Sequence, residues 1–478
     1  MSTLTAVHRP IEIQQCHPRL MILVLVLTDV FSLAASGLIA SVRNWSFVGI
    51  HGIASYLVLI PFILLFILVF AALGLYSGVS QSPPEELRKS TLACILISLC
   101  VTVSTVSIRQ SHVLFSWTIA GAILLSIVAV PVAREFVRLN YSRAAWWGYP
   151  TIVFGDEESG KALLQTLHKQ MDLGLKPIAV ICSHPIQSSH ICGVPVIDES
   201  GLKHLGQYLK GRGYALLTGT AESRDKLMTI VAENRKFFPH VLVVPETWEF
   251  SCFSVSPKNL GGVLGLEIRE HVFQRSKQLL KRALDLLLTT VICILTAPLF
   301  LLIAIAIKVD SRGPVFYGQR RVGRGGVEFR AWKFRSMVLD ADGLLKRYLA
   351  EHPALAVEWE ENHKLRCDPR MTRVGKFLRQ SSLDEIPQLW NVMRGEMSLV
   401  GPRPIVREEI PRYGKYFDLY TSVHSGLTGL WQVSGRSETS YAERVTFDTF
   451  YIRNWSVWLD LYILFRTIGA LWVRTGAY

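Results

Sequence analysis

Two adjacent carboxylates, Asp384 and Glu385, stand in a part of the sequence that is otherwise crowded with cations. The surrounding basic residues are Arg366, Arg370, Arg373, Lys376, Arg379, Arg394, Arg403 and Arg407. Ser382 and Glu385 have the spacing of a capping box, which predicts that a helix begins here. A helix N-terminus surrounded by cations is suited to binding phosphates and should keep Asp384 ionised. An ionised aspartate beside bound phosphates can attack phosphorus or hold a divalent metal.

A purely structural interpretation of the same residues stays open. Apolar side chains recur at helical spacing after Ser382, at Leu383, Ile386, Leu389 and Met393. In a capped amphipathic helix of this kind, the two acids would only complement the positive end of the helix dipole. The residues alone therefore leave two roles for Glu385, as a cap or as part of a reactive site.

The wider motifs decide which family the sequence resembles. Ser-Leu-Asp-Glu-Ile-Pro-Gln-Leu-Trp-Asn-Val begins at Ser382, and Ser-Leu-Val-Gly-Pro-Arg-Pro begins at Ser398. With these motifs the chain resembles the bacterial polyprenyl-phosphate phosphoglycosyl transferases of the monotopic kind, in their long form. Two further stretches resemble motifs of that family: Trp-Lys-Phe-Arg-Ser-Met from Trp332, and Gly-Leu-Thr-Gly-Leu-Trp-Gln-Val-Ser-Gly-Arg from Gly426. The resemblance extends over essentially the whole chain.

This resemblance implies a reaction and its substrates. A sugar 1-phosphate would pass from a UDP-sugar to undecaprenyl phosphate with release of UMP, as the first membrane step of O-antigen or other polysaccharide synthesis. Galactose is the expected sugar; glucose or another hexose is the alternative, because no residue separates two epimers. A covalent relay suits substrates of such different polarity, with Asp384 attacking the β-phosphorus to give a phospho-sugar aspartyl intermediate. Mg²⁺ is the expected cofactor, with Asp384 and Glu385 as ligands.

Four basic residues are candidates for phosphate contacts. Arg403 lies between two prolines on a stiff loop, and its guanidinium can grip a phosphate with two donors. Arg379 precedes Asp384 by five positions, and Lys333 and Arg335 belong to the motif after Trp332. Singly, each of these could instead be a solvated or headgroup contact. The glycine-rich stretch from Gly426 predicts a tight loop near the nucleotide or sugar.

Composition limits the class of protein. The chain has 478 residues and a formal charge of +13. Half of its residues are hydrophobic, as expected if part of the chain lies in lipid. The charge fits anionic lipid or phosphorylated substrates, and because no DNA-reading motif occurs, nucleic acid is not an expected partner. Eight scattered cysteines without a Cys-x-x-Cys motif argue against a disulfide framework or a zinc site, and fit a reducing cytosolic face.

The N-terminal part reads as a membrane anchor. Four apolar runs have about the 20 residues that a bilayer crossing needs: Leu20 to Val42, Ile53 to Tyr76, Leu92 to Ile108 and Val113 to Val132. Basic residues concentrate before the first run, between the second and third, and after the fourth, which places both ends of the bundle in the cytoplasm. Asp29 is almost the only ionisable residue inside the runs, so nothing indicates a transport pathway.

The middle of the chain reads as a Rossmann-like α/β domain. Thr151 to Gly155 looks like a strand that enters a glycine turn, and Ile178 to Ile181, Ala215 to Leu217 and Val241 to Val244 are further buried strands. The dinucleotide fingerprint is broken, since Glu157 occupies the place of its middle glycine and would repel a pyrophosphate. A structural or regulatory role is therefore favoured over nucleotide binding.

A fifth apolar run, about 284–307, has positive residues on both flanks. The positive-inside rule puts both flanks in the cytoplasm, and Pro298 can bend a helix near the middle of the run. We therefore expect a re-entrant helix that enters one leaflet and turns at Ala297-Pro298, as the resemblance also implies. The alternative is a true span.

The expected architecture is a membrane protein of mixed α and α/β class. It has a four-helix transmembrane anchor (1–145), the Rossmann-like domain (146–265) and a mainly helical monotopic catalytic domain (266–478). We expect a multi-pass protein of the bacterial inner membrane with its catalytic domain on the cytoplasmic face, in contact with membrane lipid and able to form a homo-oligomer. A non-catalytic scaffold or regulator of polysaccharide assembly is the alternative class, which an intact Asp384-Glu385 pair disfavours.

Overall fold

The structure is a computed structural model that describes most of the chain between residues 16 and 472. The undescribed stretches within these bounds are 43–59, 77–78, 80–81, 109–112, 183–188, 199–200, 203–204, 206–208, 210–212, 220, 235–236, 245–254, 261–262, 269–274, 353–367 and 435–439. The chain divides into two compact units, Met1–Trp248 and Glu249–Tyr478. Each unit is described by itself below.

The first unit begins with long apolar helices. They are α1 (Pro18–Val42), α2 (Ile60–Ala72), α3 (Pro83–Ile108) and α4 (Val113–Tyr141). Met21, Leu25 and Phe70 are fully buried between them, whereas many leucines on the outer faces are exposed. Within the described residues, Pro18–Ala40 and Ala120–Tyr141 are long and apolar enough to cross a membrane, and Ile63–Ala72 is a shorter apolar helix. The start of the second predicted run lies outside the described residues.

A buried ion network joins α1, α3 and α4, which the sequence did not predict. The Arg134 guanidinium donates to Asp29 at 2.7 Å through Nε and to Glu86 at 2.8 Å through Nη1. Arg138 pairs with the second oxygen of Glu86 at 2.6 Å. Because α4 continues to Tyr141 instead of ending near Val132, both arginines point into the bundle. Glu86, Arg134 and Arg138 all lie outside the bounds of the predicted apolar runs, so the runs alone do not show that the bundle buries these charges.

A parallel sheet follows the helices. Its strands are β1 (Tyr149–Gly155), β2 (Leu175–Cys182), β5 (Tyr214–Leu217) and β6 (His240–Val243), in the order β2-β1-β5-β6. A short antiparallel pair, β3 (His190–Ile191) and β4 (Val194–Pro195), lies between β2 and β5 in sequence. Helix α5 (Glu157–Lys169) and helix α6 (Ala221–Glu233) pack on the sheet. Each of the four predicted strand segments lies on a strand of the sheet, with Val244 just beyond the end of β6, and buried residues of β1, β2 and β5 form much of the core. The prediction that the fourth segment is buried was wrong, because β6 is the edge strand and exposes Val241 and Val243.

The second unit contains one very long apolar helix and a compact set of short elements. Its helices are α7 (Arg275–Asp310), α8 (Ala341–Glu351), α9 (Arg373–Gln380), α10 (Gln388–Arg394), α11 (Ile410–Tyr413), α12 (Phe417–Thr421), α13 (Leu430–Ser434), α14 (Tyr441–Arg453) and α15 (Val457–Trp472). Its strands are β7 (Val255–Leu260), β8 (Val263–Ile268), β9 (Phe316–Val322), β10 (Glu328–Phe334), β11 (Ser398–Val400) and β12 (Gly426–Thr428). β7 with β8 and β9 with β10 are antiparallel hairpins, and β11 pairs with β12 in parallel.

Helix α7 is continuous through Ala297 and Pro298, and residues 276–310 are long and apolar enough to cross a membrane. Both of its flanks pack on the short elements. Lys281 in its first half donates to the Val400 carbonyl at 3.0 Å, and Asp310 at its end accepts from the Val374 amide at 3.0 Å. Between the flanks, the apolar side chains of Ile294, Leu295, Leu301 and Leu302 are all more than 60% exposed.

Candidate active site

Strand β10 carries Lys333 to the carboxylate pair, and Asn391 fixes the strand against α10. The Asn391 side chain is fully buried; it accepts from the Trp332 amide at 3.0 Å and donates to the Arg330 carbonyl at 2.7 Å. An amide that bonds both ways to one strand edge holds it in a single register. Lys333, the next residue along the strand, therefore reaches the pair from the side.

The backbone around the pair differs from the predicted helix start. Helix α9 ends at Gln380, and Ser382 takes a left-handed conformation with φ of 57°. Leu383–Glu385 form one 3₁₀ turn, and α10 begins only after Pro387. The Ser382 side chain caps nothing, and Glu385 turns to Lys333, so the capping box was wrong. A non-glycine residue at positive φ is strained, and such strain is characteristic of functional sites.

Asp384 is a buried carboxylate with a raised pKa. The residue is 7% exposed, and its Oδ2 lies 3.9 Å from Lys333 Nζ. Burial raises the pKa of Asp384 to about 6, because it outweighs the opposing charge of Lys333, and Glu385 adds to the rise; Arg379 works against it. The surrounding cations therefore do not depress this pKa, although the group is still mainly ionised at neutral pH.

Glu385 has the opposite electrostatic balance. Burial alone would raise its pKa, but the Lys333 ammonium, which donates to Glu385 Oε1 at 2.6 Å, outweighs burial and holds the pKa below its usual value. The guanidiniums of Arg403 and Arg321 act in the same direction. Two adjacent acids with pKa values displaced in opposite directions are a pattern found at reactive sites.

A small polar pocket, open to solvent, lies beside the pair. Its lining residues are Arg321, Ala331, Lys333, Glu385, Gln388, Arg403, Pro404, Gly426, Leu427 and Gln432. The structure thus brings Lys333, Glu385 and Arg403 together, with Asp384 against Lys333. Three side chains of the pocket were missed in the sequence: Arg321, Gln388 and Gln432.

Arg321 lines the pocket together with Arg403. Its Nη1 lies 4.0 Å from Glu409 Oε2, whereas Arg403 has no carboxylate within ion-pair distance among the described residues. Arg321 donates to the Gln319 side chain at 2.8 Å and to the Pro404 carbonyl at 3.3 Å. Burial lowers the pKa of Arg321, and the charge of Arg403 lowers it further. The signal that could have identified Arg321 is the hairpin: β9 runs antiparallel to the strand that carries Lys333.

Close backbone packing positions the Arg403 loop. A Cβ on Gly401 would lie 2.6 Å from the His424 carbonyl and 2.8 Å from the Gly426 amide. A side chain at either glycine would separate β11 from β12, and the loop that follows Gly401 would move away from the pocket. The glycine-rich stretch therefore serves first as a backbone contact, and it places Leu427 and Gln432 on the pocket wall.

The other predicted basic residues lie outside the pocket. Arg379 bonds Ser336 at 3.2 Å, near enough for its charge to act on Asp384. Arg335 is buried and donates to the Ser311 and Arg312 carbonyls at 2.8 and 3.0 Å, so it fastens the chain after α7. Of the neighbouring cations named from the sequence, Arg370 pairs with Asp368, Arg394 with Glu396 and Arg407 with Glu328, whereas Arg366 lies outside the described residues.

The donor set suits only a partly protein-bound metal. Within the described part of the chain, no three His, Cys, Asp or Glu side chains cluster as metal ligands. Asp384 and Glu385 can supply two carboxylates, and Mg²⁺ is commonly held by one or two carboxylates together with substrate phosphates and waters. The residues present fit that arrangement and do not fit an all-protein cage.

Comparison with known proteins gives a consistent picture. Residues 276–474 match the family described as "Bacterial sugar transferase". The chain is 36% identical over 400 residues to the "UDP-galactose-lipid carrier transferase" of Erwinia amylovora, with 82% of each chain covered. It is 35% identical over 366 residues to the "Undecaprenyl-phosphate galactose phosphotransferase" of Salmonella typhimurium, covering 76% of this chain and 75% of that relative. It is 31% identical over 367 residues to the "UDP-glucose:undecaprenyl-phosphate glucose-1-phosphate transferase" of Escherichia coli, covering 74% and 75%.

Proposed function

Since the chain belongs to the bacterial sugar transferase family and is a phosphoglycosyl transferase, we propose a specific transfer reaction for it. In this reaction a hexose 1-phosphate passes from a UDP-hexose to undecaprenyl phosphate, and UMP is released. Galactose is the proposed sugar, because two relatives that match most of the chain carry names with galactose. Glucose is the second candidate, supported by the name of the Escherichia coli relative. The observation that carries the proposal is the buried Asp384 beside a pocket lined by three cations.

The charges of the pocket suit a diphosphate. Lys333, Arg321 and Arg403 face it, and Glu385 is the only carboxylate among its lining residues. Arg321 pairs with Glu409 only at 4.0 Å, and Arg403 has no carboxylate within ion-pair distance among the described residues. Both guanidiniums can therefore offer donors to phosphate oxygens, which a guanidinium can bind two at a time. The walls made by Leu427, Gly426 and Gln432 leave uncharged surface for the sugar or the base.

We propose that Asp384 is the nucleophile. Its carboxylate oxygen attacks the sugar-bearing phosphorus, a new P–O bond forms, and the bond from that phosphorus to the bridging oxygen breaks, so UMP leaves with the electron pair. An oxygen of the lipid phosphate then attacks the same phosphorus, and the Asp384 carboxylate is regenerated. Lys333, 3.9 Å from Asp384 Oδ2, is placed to offset charge that develops on the transferred group. Glu385 holds the Lys333 ammonium in place through its hydrogen bond.

We also propose Mg²⁺ as cofactor, with Asp384 and Glu385 as its protein ligands. When bound, it would neutralise charge on the diphosphate. The Lys333 ammonium and the metal would share the two carboxylates.

We propose that α7 enters one leaflet and returns. A straight helix would hold Lys281 and Asp310 about 44 Å apart. Yet both flanks pack on one set of elements, and Ile386 contacts both of the apolar clusters that the flanks join. The exposed apolar side chains lie between the flanks, around Pro298, where a helix can bend. This geometry supports a re-entrant helix over a straight span.

The aromatic side chains near α7 support a position at the membrane interface. Helices α9 and α10 both pack on α7, and they expose Phe377 and Trp390 by 55% and 60%. Aromatic residues beside basic ones are typical of the interfacial zone. A site at this level would meet a lipid-borne phosphate whose polyprenyl tail stays in hydrocarbon.

For the first unit we propose a four-helix transmembrane anchor in the bacterial inner membrane, with both ends and the catalytic domain on the cytoplasmic side. The distribution of basic residues supports this orientation. We propose a Rossmann-like domain for the parallel sheet, in a structural or regulatory role. Glu157 and Glu158 in the first turn of α5 place negative charge where a bound phosphate would need a positive helix end.

The test of the proposed function is transfer itself. The purified protein is given undecaprenyl phosphate and Mg²⁺ with either UDP-galactose or UDP-glucose, and the lipid-linked hexose and UMP are measured. Equal amounts of lipid product and UMP from UDP-galactose are expected, with less or none from UDP-glucose. Preference for UDP-glucose would keep the enzyme class and change the sugar. No product from any UDP-hexose would contradict the proposal and favour the scaffold.

A further inference from the structure

Arg403 is held by an aromatic ring instead of a carboxylate. Its guanidinium carbon lies 5.4 Å from the centre of the Trp431 ring. Within the described part of the chain, this guanidinium has no hydrogen-bond acceptor and no carboxylate within ion-pair distance. Arginine can stack its planar face on an indole while its N–H donors stay in plane and available.

Trp431 is itself held from within the domain. The residue is 5% exposed and lies on α13, outside the pocket lining. Arg444 on α14 places its guanidinium carbon 4.3 Å from the same ring centre. The ring therefore has little freedom to tilt, because a second cation packs on it and the surroundings exclude water.

Asp448 is the buried carboxyl group that interacts with both guanidiniums on the ring. Asp448 follows Arg444 by one helical turn, is 1% exposed and accepts from the Tyr413 hydroxyl at 2.7 Å. Burial raises the pKa of Asp448 to about 7, while Tyr413, Arg444 and Arg403 favour its ionised form. Asp448 is not among the residues that line the pocket, so it leaves the pocket side of Arg403 open.

We propose that Trp431, braced by Arg444, is a positioning residue that fixes the plane of Arg403 so that its donors meet the diphosphate of the nucleotide sugar. The inference rests on the proposed function for the identity of the ligand. It assigns a role to the tryptophan of the Gly-Leu-Thr-Gly-Leu-Trp-Gln stretch. It also explains why α14, which does not line the pocket, matters for binding.

The experiment measures UDP affinity by calorimetry, together with kcat/KM, for Trp431→Phe, Trp431→Leu, Arg403→Ala and the Arg403→Ala/Trp431→Phe double variant. We expect Trp431→Leu to weaken UDP binding about tenfold or more, and Trp431→Phe to weaken it less because a ring face remains. In the Arg403→Ala background, Trp431→Phe should change UDP affinity less than twofold, since its partner is gone. Arg412→Gln is the matched control: it removes a guanidinium 4.9 Å from the Tyr441 ring and leaves Trp431 untouched.

The outcomes separate this inference from the proposed function. Equal losses from Trp431→Phe with and without Arg403 would overturn the positioning role and show a general packing effect. An unchanged UDP affinity in Arg403→Ala would overturn it as well. Trp431→Phe keeps the test valid if Trp431→Leu does not fold, which a thermal melt would reveal. If the coupling appears in UDP binding while no sugar phosphate reaches the lipid, the inference stands and the proposed transfer fails.

Discussion

The Lys333 ammonium is hydrogen-bonded to Glu385, at 2.6 Å, and stands 3.9 Å from Asp384. The charge of Glu385 is therefore compensated by a direct hydrogen bond to Lys333, whereas the buried Asp384 carboxylate has no direct hydrogen bond to that ammonium. This difference explains the opposite displacements of their pKa values. It also fits the roles proposed for the two acids, in which Glu385 holds the lysine and the Asp384 carboxylate attacks phosphorus.

The raised pKa of Asp384 predicts the pH dependence of the first chemical step. Only the ionised form can attack, so the rate of UMP formation should fall about tenfold per pH unit once the pH drops well below 6. The positive charge of Lys333 lowers the pKa of Asp384. Lys333→Gln removes that charge, so the pKa of Asp384 should rise and the inflection of the rate profile should move to higher pH. Rapid-quench rates at several pH values measure both profiles. Identical pH–rate profiles for the parent and Lys333→Gln would contradict the assignment of the inflection to Asp384.

Asp384→Asn should be inactive and more stable. The pKa of Asp384 is raised in the fold, so its ionised form costs stability above about pH 6, by up to about 3 kcal/mol. Asparagine keeps the shape and removes the buried charge. We expect at least a 10³-fold loss of transfer and a higher melting temperature at pH 8 than the parent, with the difference shrinking towards pH 5. A destabilised Asp384→Asn would argue that the ion pair with Lys333 dominates.

Arg403→Ala should lower kcat/KM by about 10²-fold or more, because it removes a guanidinium with free donors from the phosphate site. Arg394→Gln is a suitable control, since the Arg394 side chain is 56% exposed and its ion pair among the described residues is with Glu396. A loss of less than threefold in kcat/KM for the control is expected. Similar losses in both would indicate a general effect of net charge.

Arg134 should be critical for the first unit and irrelevant to the chemistry. Arg134→Met leaves Asp29 and Glu86 buried without their shared partner, which costs about 3–5 kcal/mol. Arg88→Gln is the matched control: it breaks an exposed pair with Glu85, worth less than about 1 kcal/mol. Thermal unfolding in detergent compares the two variants. Equal melting temperatures would contradict the buried network.

The proposed re-entrant helix predicts that both ends of α7 face the same side of the membrane. Single cysteines at the exposed positions Ser276 and Lys308 should react with an impermeant maleimide in inside-out vesicles and not in intact spheroplasts. The parent protein serves as the blank for native cysteines. Labelling of the two positions from opposite sides would show a true span.

The sequence named Asp384, Glu385, Lys333 and Arg403 through its motifs, and these residues lie together in the structure although they come from separate stretches of the chain. It did not predict Arg321, which reaches the pocket through strand pairing, or the turn at Ser382, where a left-handed residue mimics the spacing of a capping box. It also missed the buried network around Arg134, since a helix end cannot be located from hydropathy alone when the charges beyond it are paired. For Arg321 and Arg134 the missing information was a long-range contact, and for Ser382 it was the local backbone conformation.

The most direct test of the central claim is UMP release without a lipid acceptor. Parent protein at a concentration near that of UDP-galactose, with Mg²⁺, should release about one UMP per active site and then stop, and Asp384→Asn should release none. The lipid acceptor should then discharge the sugar phosphate from the parent. Release of UMP only after undecaprenyl phosphate is added would contradict the covalent intermediate on Asp384 and leave a direct transfer in its place.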